Sequence, residues 1–347
     1  MHCDHIVDMM TMSVLHTSAS IERKMDTNIM GSIFIFKAAI IVFMTLLYTL
    51  LEPYLPALMK RAFLYGKFSI KTPHTIAAKF EVPKRWFKHF YVVSAPLMTV
   101  TLCLVLYKYR YNAQVPEIVF TLLDTLLGAS RKPLISGEDA ILAFVIYNIH
   151  CWKRVYETCY ISVFSNQKIH VFIYLVGYIH YTGIILCIIG ESEGFVKGSH
   201  ASVNLDKLTT AKLVCAFICL CSSYMQLKTN LTLANLRKNT HGDVVSFEYK
   251  IPSEGLFKYI AGPLQLLEIL IYLMLSVILW QASTYHYVTL WVVANQVRNR
   301  IRQEILYFLK KEKKLSVQIT LSRWKVQSWL ISGTVKHSKI IQKRGRF

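Results

Sequence analysis

Seven apolar stretches, at 32–51, 89–107, 139–160, 169–190, 209–227, 258–281 and 284–297, recur along this 347-residue chain at the spacing of a helix plus a loop. Each is near or slightly below the ~20 residues that carry an α-helix across the hydrocarbon core. In that solvent only helices and closed barrels satisfy their backbone internally. The pattern predicts an all-α fold: a polytopic membrane bundle of about seven transmembrane helices in one domain. Composition agrees, since 54% of residues are hydrophobic, above the ~45–50% of soluble domains. The shorter apolar segment from Pro116 to Ala129 is followed by Ser130-Arg-Lys-Pro133 and reads as interfacial or re-entrant.

The formal charge of +20 points to topology. Most basic residues sit in short loops beside apolar runs, and no basic helix or aromatic sheet motif for nucleic acid accompanies them. Residues 53–88 carry Lys60, Arg61, Lys67, Lys71, Lys79, Lys84, Arg85 and Lys88 against Glu81, which assigns this loop to the cytosol. Alternation then puts the 228–257 loop and everything from Arg298 in the cytosol, and the Glu191-Ser-Glu193 loop in the lumen. Residues 1–29 form a polar, irregular leader without a signal-peptide core, and Met25 and Met30 just before the first run are alternative starts. His2-Cys3-Asp4-His5 has no further ligands nearby, and the cysteines show no Cys-x-x-Cys pair, so neither metal binding nor a disulfide framework is expected. Asn230-Leu-Thr232 is a formal glycosylation sequon, but its expected place at the cytosolic membrane edge argues against that use.

Three polar constellations interrupt the apolar pattern. His150, Arg154 and Glu157 stand at i, i+4 and i+7, hence on one helical face, with Lys153 beside them. Such a stripe marks a site facing the bundle interior, and it equally fits an interfacial helix end with a self-neutralising Lys–Glu pair. Gln226, Asn230, Arg237, Lys238 and Tyr249 run from the fifth span into the basic island Leu233–Pro252. Arg and Lys suit phosphate, while amides suit a carboxamide or ribose. A cytosolic loop that only obeys the charge rule has the same composition. The absence of a Gly-x-Gly-x-x-Gly loop excludes a Rossmann site. His89 and Tyr91 follow Lys84, Arg85, Trp86, Phe87 and Lys88, where an aromatic interfacial belt is the competing reading. His170, His180 and Tyr181 read as core or pathway residues.

Val82-Pro-Lys-Arg-Trp-Phe-Lys-His-Phe-Tyr91, His150-Cys-Trp-Lys-Arg-Val-Tyr-Glu-Thr158 and the Leu233–Pro252 island together resemble the steroid 5α-reductase family, most closely its polyprenal (polyprenol) reductase branch, over about residues 30–297. The resemblance implies an NADPH-dependent oxidoreductase of the endoplasmic reticulum membrane, multi-pass, with a cytosolic C-terminus. Its reaction would be reduction of the α-isoprene double bond of polyprenal to dolichal, for dolichol synthesis and protein N-glycosylation. The partners implied are an isoprenoid lipid and the membrane, with no nucleic acid and no obligate protein partner. It further implies carbonyl-polarising roles for His89 and Tyr91, with His150 the third catalytic candidate. It assigns Arg237, Lys238, Tyr249 and Glu268 to the dinucleotide cradle, to which the chemistry of the side chains adds Arg154, Gln226 and Asn230. Hydride adds readily to a carbon–carbon double bond only when a conjugated carbonyl withdraws charge. The aldehyde is therefore expected as the direct substrate rather than the alcohol, and a 3-oxo-steroid double bond is the alternative within the family.

Two departures accompany the match. Gly262-Pro263-Leu264 stands where relatives carry Asn shortly before the glutamate matched by Glu268. The family's Tyr-Pro-x-x-Arg-Lys-Ala ending is missing: residues 298–347 hold 14 Lys+Arg against two acids and read as a basic, non-family cytosolic tail. This leaves a second reading of a reductase scaffold without catalysis, as a splice form or pseudoenzyme.

Overall fold

The computed structural model describes residues 26–51, 54–55, 80–166, 168–200, 203–247, 252–260 and 262–304. It is an all-α membrane bundle with one short antiparallel strand pair. The helices are α1 Ile29–Leu51, α2 Phe87–Tyr111, α3 Glu117–Leu127, α4 Gly137–Tyr156, α5 Val171–Gly190, α6 Thr210–Asn235 and α7 Pro263–Ile278. A further helix, α8, begins at residue 285. All seven apolar stretches fall on a helix, and the short Pro116–Ala129 segment holds α3. By length and hydropathy, α1, α5, α6 and the stretch Lys84–Tyr111 qualify as membrane-crossing helices.

The boundaries have local causes. The Ser136 hydroxyl accepts from the Asp139 N–H at the start of α4, and Thr209 accepts from Lys212 at the start of α6, satisfying N–H groups that lack intrahelical partners. Pro263 takes the first turn of α7, where its missing N–H costs nothing. That proline also limits α7 to 16 residues, so the broad 258–281 stretch becomes a short 3₁₀ turn at Gly255–Lys258 and a separate short helix. The fifth span extends past 227 to Asn235, which places Asn230 on a helix rather than in the loop. At the end of α4 the chain widens into a π-helical turn, Glu157–Ile161.

The chain divides into two compact units, Met1–Arg298 and Asn299–Phe347. In the second, only 299–304 are described, and they are helical. Within the first, α6 packs most extensively on α7 and α2 on α4. Gly183 lets α5 approach α1 closely: a Cβ there would lie 2.8 Å from Met30 Cε and Phe34 Cζ. Such small residues at helix contacts are how bilayer-embedded helices gain packing.

At one end of the bundle, polar groups bind the connections together. Glu191 accepts from the hydroxyls and N–H groups of Ser283 and Thr284. The Asn28 amide donates to the Thr284 hydroxyl (2.7 Å). Arg131 donates to the Gly190 and Phe195 carbonyls (2.6 Å each) and pairs with Asp124. At the other end, β1 Glu81–Pro83 and β2 Lys168–His170 form an antiparallel pair, with Val82 opposite Ile169. The Arg237 guanidinium donates to the Val163 carbonyl there (2.6 Å). Among the described residues the cysteines are free and no cluster of three metal-ligating side chains occurs.

Candidate active site

One chain of hydrogen bonds and ion pairs links four helices near the β1–β2 end. On α4, Arg154 Nη2 donates to the Tyr91 hydroxyl of α2 (2.9 Å), and Nη1 donates to Glu157 Oε2 (2.5 Å). Lys153 Nζ stands 3.4 Å from Glu157 Oε1 and donates to the side-chain Oε1 of Gln226 on α6 (2.8 Å). The Gln226 amide donates in turn to Glu268 Oε2 of α7 (2.6 Å). The order is therefore Tyr91, Arg154, Glu157, Lys153, Gln226, Glu268. The Lys153–Glu157 pairing is an ion pair rather than a well-aligned hydrogen bond, since Oε1 has no geometric hydrogen-bond partner.

The α4 stripe arises as the i, i+4, i+7 spacing requires. The Glu157 side chain is fully buried, whereas that of Arg154 keeps 22% of its surface exposed. Within the stripe a partly exposed guanidinium is thus followed by a dry carboxylate. A buried carboxylate is held only if paired, and Glu157 has two cations. With Glu268 included, two basic groups face two acidic ones. The interior is polar but self-neutralised, which suits orientation of amide and hydroxyl groups more than capture of a polyanion. His150 lies one turn before Arg154, buried, with Nδ1 3.1 Å from the Ser223 hydroxyl and Nε2 without a hydrogen-bond partner among the described residues.

The remaining expected residues are placed elsewhere. His89 is two positions from Tyr91, hence on nearly the opposite side of α2. It lies 3.3 Å from the Tyr174 hydroxyl and packs against Trp86, half-buried and outside the network. Asn230 is half-buried one turn after Gln226. Arg237 anchors Val163, and Lys238 bridges to Val244 in a small β-contact. Both stand at the rim of the same end. Tyr249 lies outside the described residues. Tyr181 packs its ring 5.4 Å from that of Tyr91, and His180 Nε2 is 2.8 Å from the Tyr272 hydroxyl. Ser223 was not anticipated. Its position three residues before Gln226, on the same face of an apolar helix, is the signal that carries it.

The profile of the 3-oxo-5-alpha-steroid 4-dehydrogenase family matches residues 165–320. A polyprenal reductase of Drosophila melanogaster is 31% identical over 294 residues, covering 83% of this chain and 90% of that protein. The chain belongs to the steroid 5α-reductase family. Further relatives include the polyprenal reductase of Caenorhabditis elegans, 30% identical over 72% of this chain and 81% of that protein. The one from Homo sapiens is 32% identical over 73% and 81% respectively. Membership makes the chain an oxidoreductase of the class acting on CH–CH groups. The matched region reaches 320, beyond Val297.

Proposed function

We propose that this protein reduces the α-isoprene double bond of polyprenal to dolichal with NADPH, at the network running from Tyr91 to Glu268. The Arg154–Tyr91 hydrogen bond carries the reading. A guanidinium donating into the phenol oxygen polarises its O–H and strengthens it as a donor, as stabilisation of a developing enolate oxygen requires. Tyr91 is therefore assigned to the carbonyl, in preference to His89 on the other side of α2. His150, held at Nδ1 by Ser223, supplies the proton for the carbon next to the carbonyl from Nε2.

The donor set fits a dinucleotide in two parts. Gln226, Asn230 and Glu268 would hold the uncharged carboxamide and ribose groups in the self-neutralised interior. Arg237 and Lys238 would meet the phosphates at the rim, where excess positive charge sits, and the family resemblance adds Tyr249 to that cradle. Arg154 would meet the cofactor's inner end while keeping Tyr91 aligned. When bound, NADPH supplies the hydride. The residues of the chain position the acceptor carbon, bind the oxygen, deliver the proton and exclude water.

The chain would lie in the endoplasmic reticulum membrane with the 53–88 and 228–257 loops and the C-terminus in the cytosol. The reacting end of the isoprenoid then meets a water-borne cofactor at the cytosolic interface. The direct test is purified protein in proteoliposomes with NADPH and polyprenal, following dolichal by mass spectrometry. Formation of dolichal by the wild type, with loss in Tyr91→Phe, is expected. Absence of turnover in correctly folded wild type overturns the reading.

A further inference from the structure

Lys37 stands on α1 eight residues after its first residue, about 12 Å along the helix, too deep for simple snorkelling to the nearer interface. Its Nζ is buried and lies 3.9 Å from the centroid of the Trp291 ring and 4.3 Å from that of Phe34. It has no hydrogen-bond partner among the described residues. Aromatic faces attract an ammonium but do not accept its three directed N–H bonds.

A second side chain with an unsatisfied nitrogen packs on the same tryptophan. The His180 ring of α5 is 4.5 Å from Trp291, and His180 is 7% exposed. Its Nε2 is occupied by Tyr272, while Nδ1 is buried without a partner among the described residues. A lysine and a histidine from two helices, each with an unsatisfied nitrogen, thus pack on one tryptophan in the membrane interior. Intramembrane ionisable residues ordinarily pair with each other or mark a ligand path. No carboxylate in the described structure is bonded to either.

We propose that Lys37 and His180 bind the terminal oxygen of a long-chain isoprenoid, a holding site beside the reductase network. Lys37 donates to that oxygen. His180 Nδ1 accepts from it when it is a hydroxyl, or donates to it when it is a carbonyl, according to the tautomer that Tyr272 holds. The ligand reaches the site from the bilayer: α1 turns Phe36, Phe43, Leu46 and Leu50 outward, as expected of a lipid-facing helix. The site adjoins the reacting groups without overlapping them. His180 contacts Tyr181 at 5.0 Å, and Tyr181 contacts Tyr91 at 5.4 Å. The inference rests on the proposed isoprenoid chemistry for the lipid's identity, while its polar recognition rests on the two nitrogens alone.

The test uses the full chain in proteoliposomes without NADPH, photo-crosslinked with a polyprenol carrying a diazirine beside its hydroxyl, with labelled peptides mapped by mass spectrometry. Label is expected on the peptides holding Lys37 and Trp291, to fall about tenfold in Lys37→Met, as for loss of one modest interaction, and to persist in Lys37→Arg. Retention in Lys37→Arg separates loss of the donor from damage to the fold. Polyprenol and polyprenal are expected to compete and squalene, which lacks oxygen, is not; the stronger competitor identifies the resident lipid. Equal labelling of wild type and Lys37→Met, or competition by squalene as strong as by polyprenol, overturns the proposal and leaves an apolar groove. Because labelling is read without cofactor, a protein that labels but does not turn over counts against the reductase reading and not against this site.

Discussion

Arg154 touches Tyr91 twice: Nη2 donates to the hydroxyl over 2.9 Å while the guanidinium carbon lies 4.8 Å from the ring centroid. One side chain thereby fixes both the direction and the tilt of a phenol on another helix. Tyr91→Phe keeps the ring contact and removes the hydroxyl. Its expected effect is a fall in kcat of about 10²–10³-fold, the scale of deleting one oxyanion donor, with little change in thermal stability. His89→Phe is expected to keep the rate within the same order of magnitude. Initial rates of dolichal formation distinguish the two.

Glu157→Gln leaves Lys153 and Arg154 without their buried partner. Breaking such a pair from one side costs about 3–5 kcal/mol. The expected outcome is a large drop in the midpoint of thermal unfolding in detergent. Adding Lys153→Met to Glu157→Gln recovers part of the loss, and the double-mutant cycle gives the coupling.

Arg237→Ala is expected to weaken NADPH binding by roughly tenfold to a hundredfold, corresponding to the about 1.5–3 kcal/mol of a charge-assisted contact. Titration calorimetry of the reconstituted protein measures it. Gln226→Leu is expected to raise the KM for NADPH as well, because it severs the link from Lys153 to Glu268. Unchanged affinity in a folded Arg237→Ala protein reduces that residue to its anchoring of the Val163 carbonyl.

Gly183→Leu forces a side chain into the contact between α5 and α1, where even a Cβ meets Phe34 and Met30. Overpacking of this kind costs about 1–3 kcal/mol. Because Phe34 also underlies Lys37, the variant is expected to lower thermal stability and to reduce isoprenoid labelling, and both are measurable on one preparation.

Single cysteines placed at 67 and 241 in a cysteine-free background are expected to react with membrane-impermeant maleimide from the cytosolic side. Reaction at either position only after the lumen is opened reverses the proposed orientation.

The sequence carries the helical pattern strongly because apolar periodicity is local, and all seven runs became helices. The length of α7 is less legible: Gly262-Pro263 reads as a departure from family pattern, and only the folded chain shows that it starts the helix there. His150, Arg154 and Glu157 are readable as one group because a single helix spaces them. The Lys153–Gln226–Glu268 links are not, because they join side chains far apart in sequence whose meeting depends on how α4, α6 and α7 pack. His89 and Tyr91 look equivalent as letters, and helix geometry separates them. Lys37, a lone charge within the first apolar run, was not anticipated, and its significance needs Trp291 and His180 beside it.

At 1.5 Å per residue the sixteen residues of α7 span about 24 Å, short of the ~30 Å hydrocarbon slab. Lipids next to a helix this short thin to meet it, since exposing apolar chains to water is costlier than compressing them. Glu268 lies in its second turn, so a bilayer that thins to match α7 would bring the headgroup layer toward the network at that point. The membrane would be locally dimpled at the chemistry. An oily chain and a water-soluble hydride donor could then meet there with neither one leaving its own solvent.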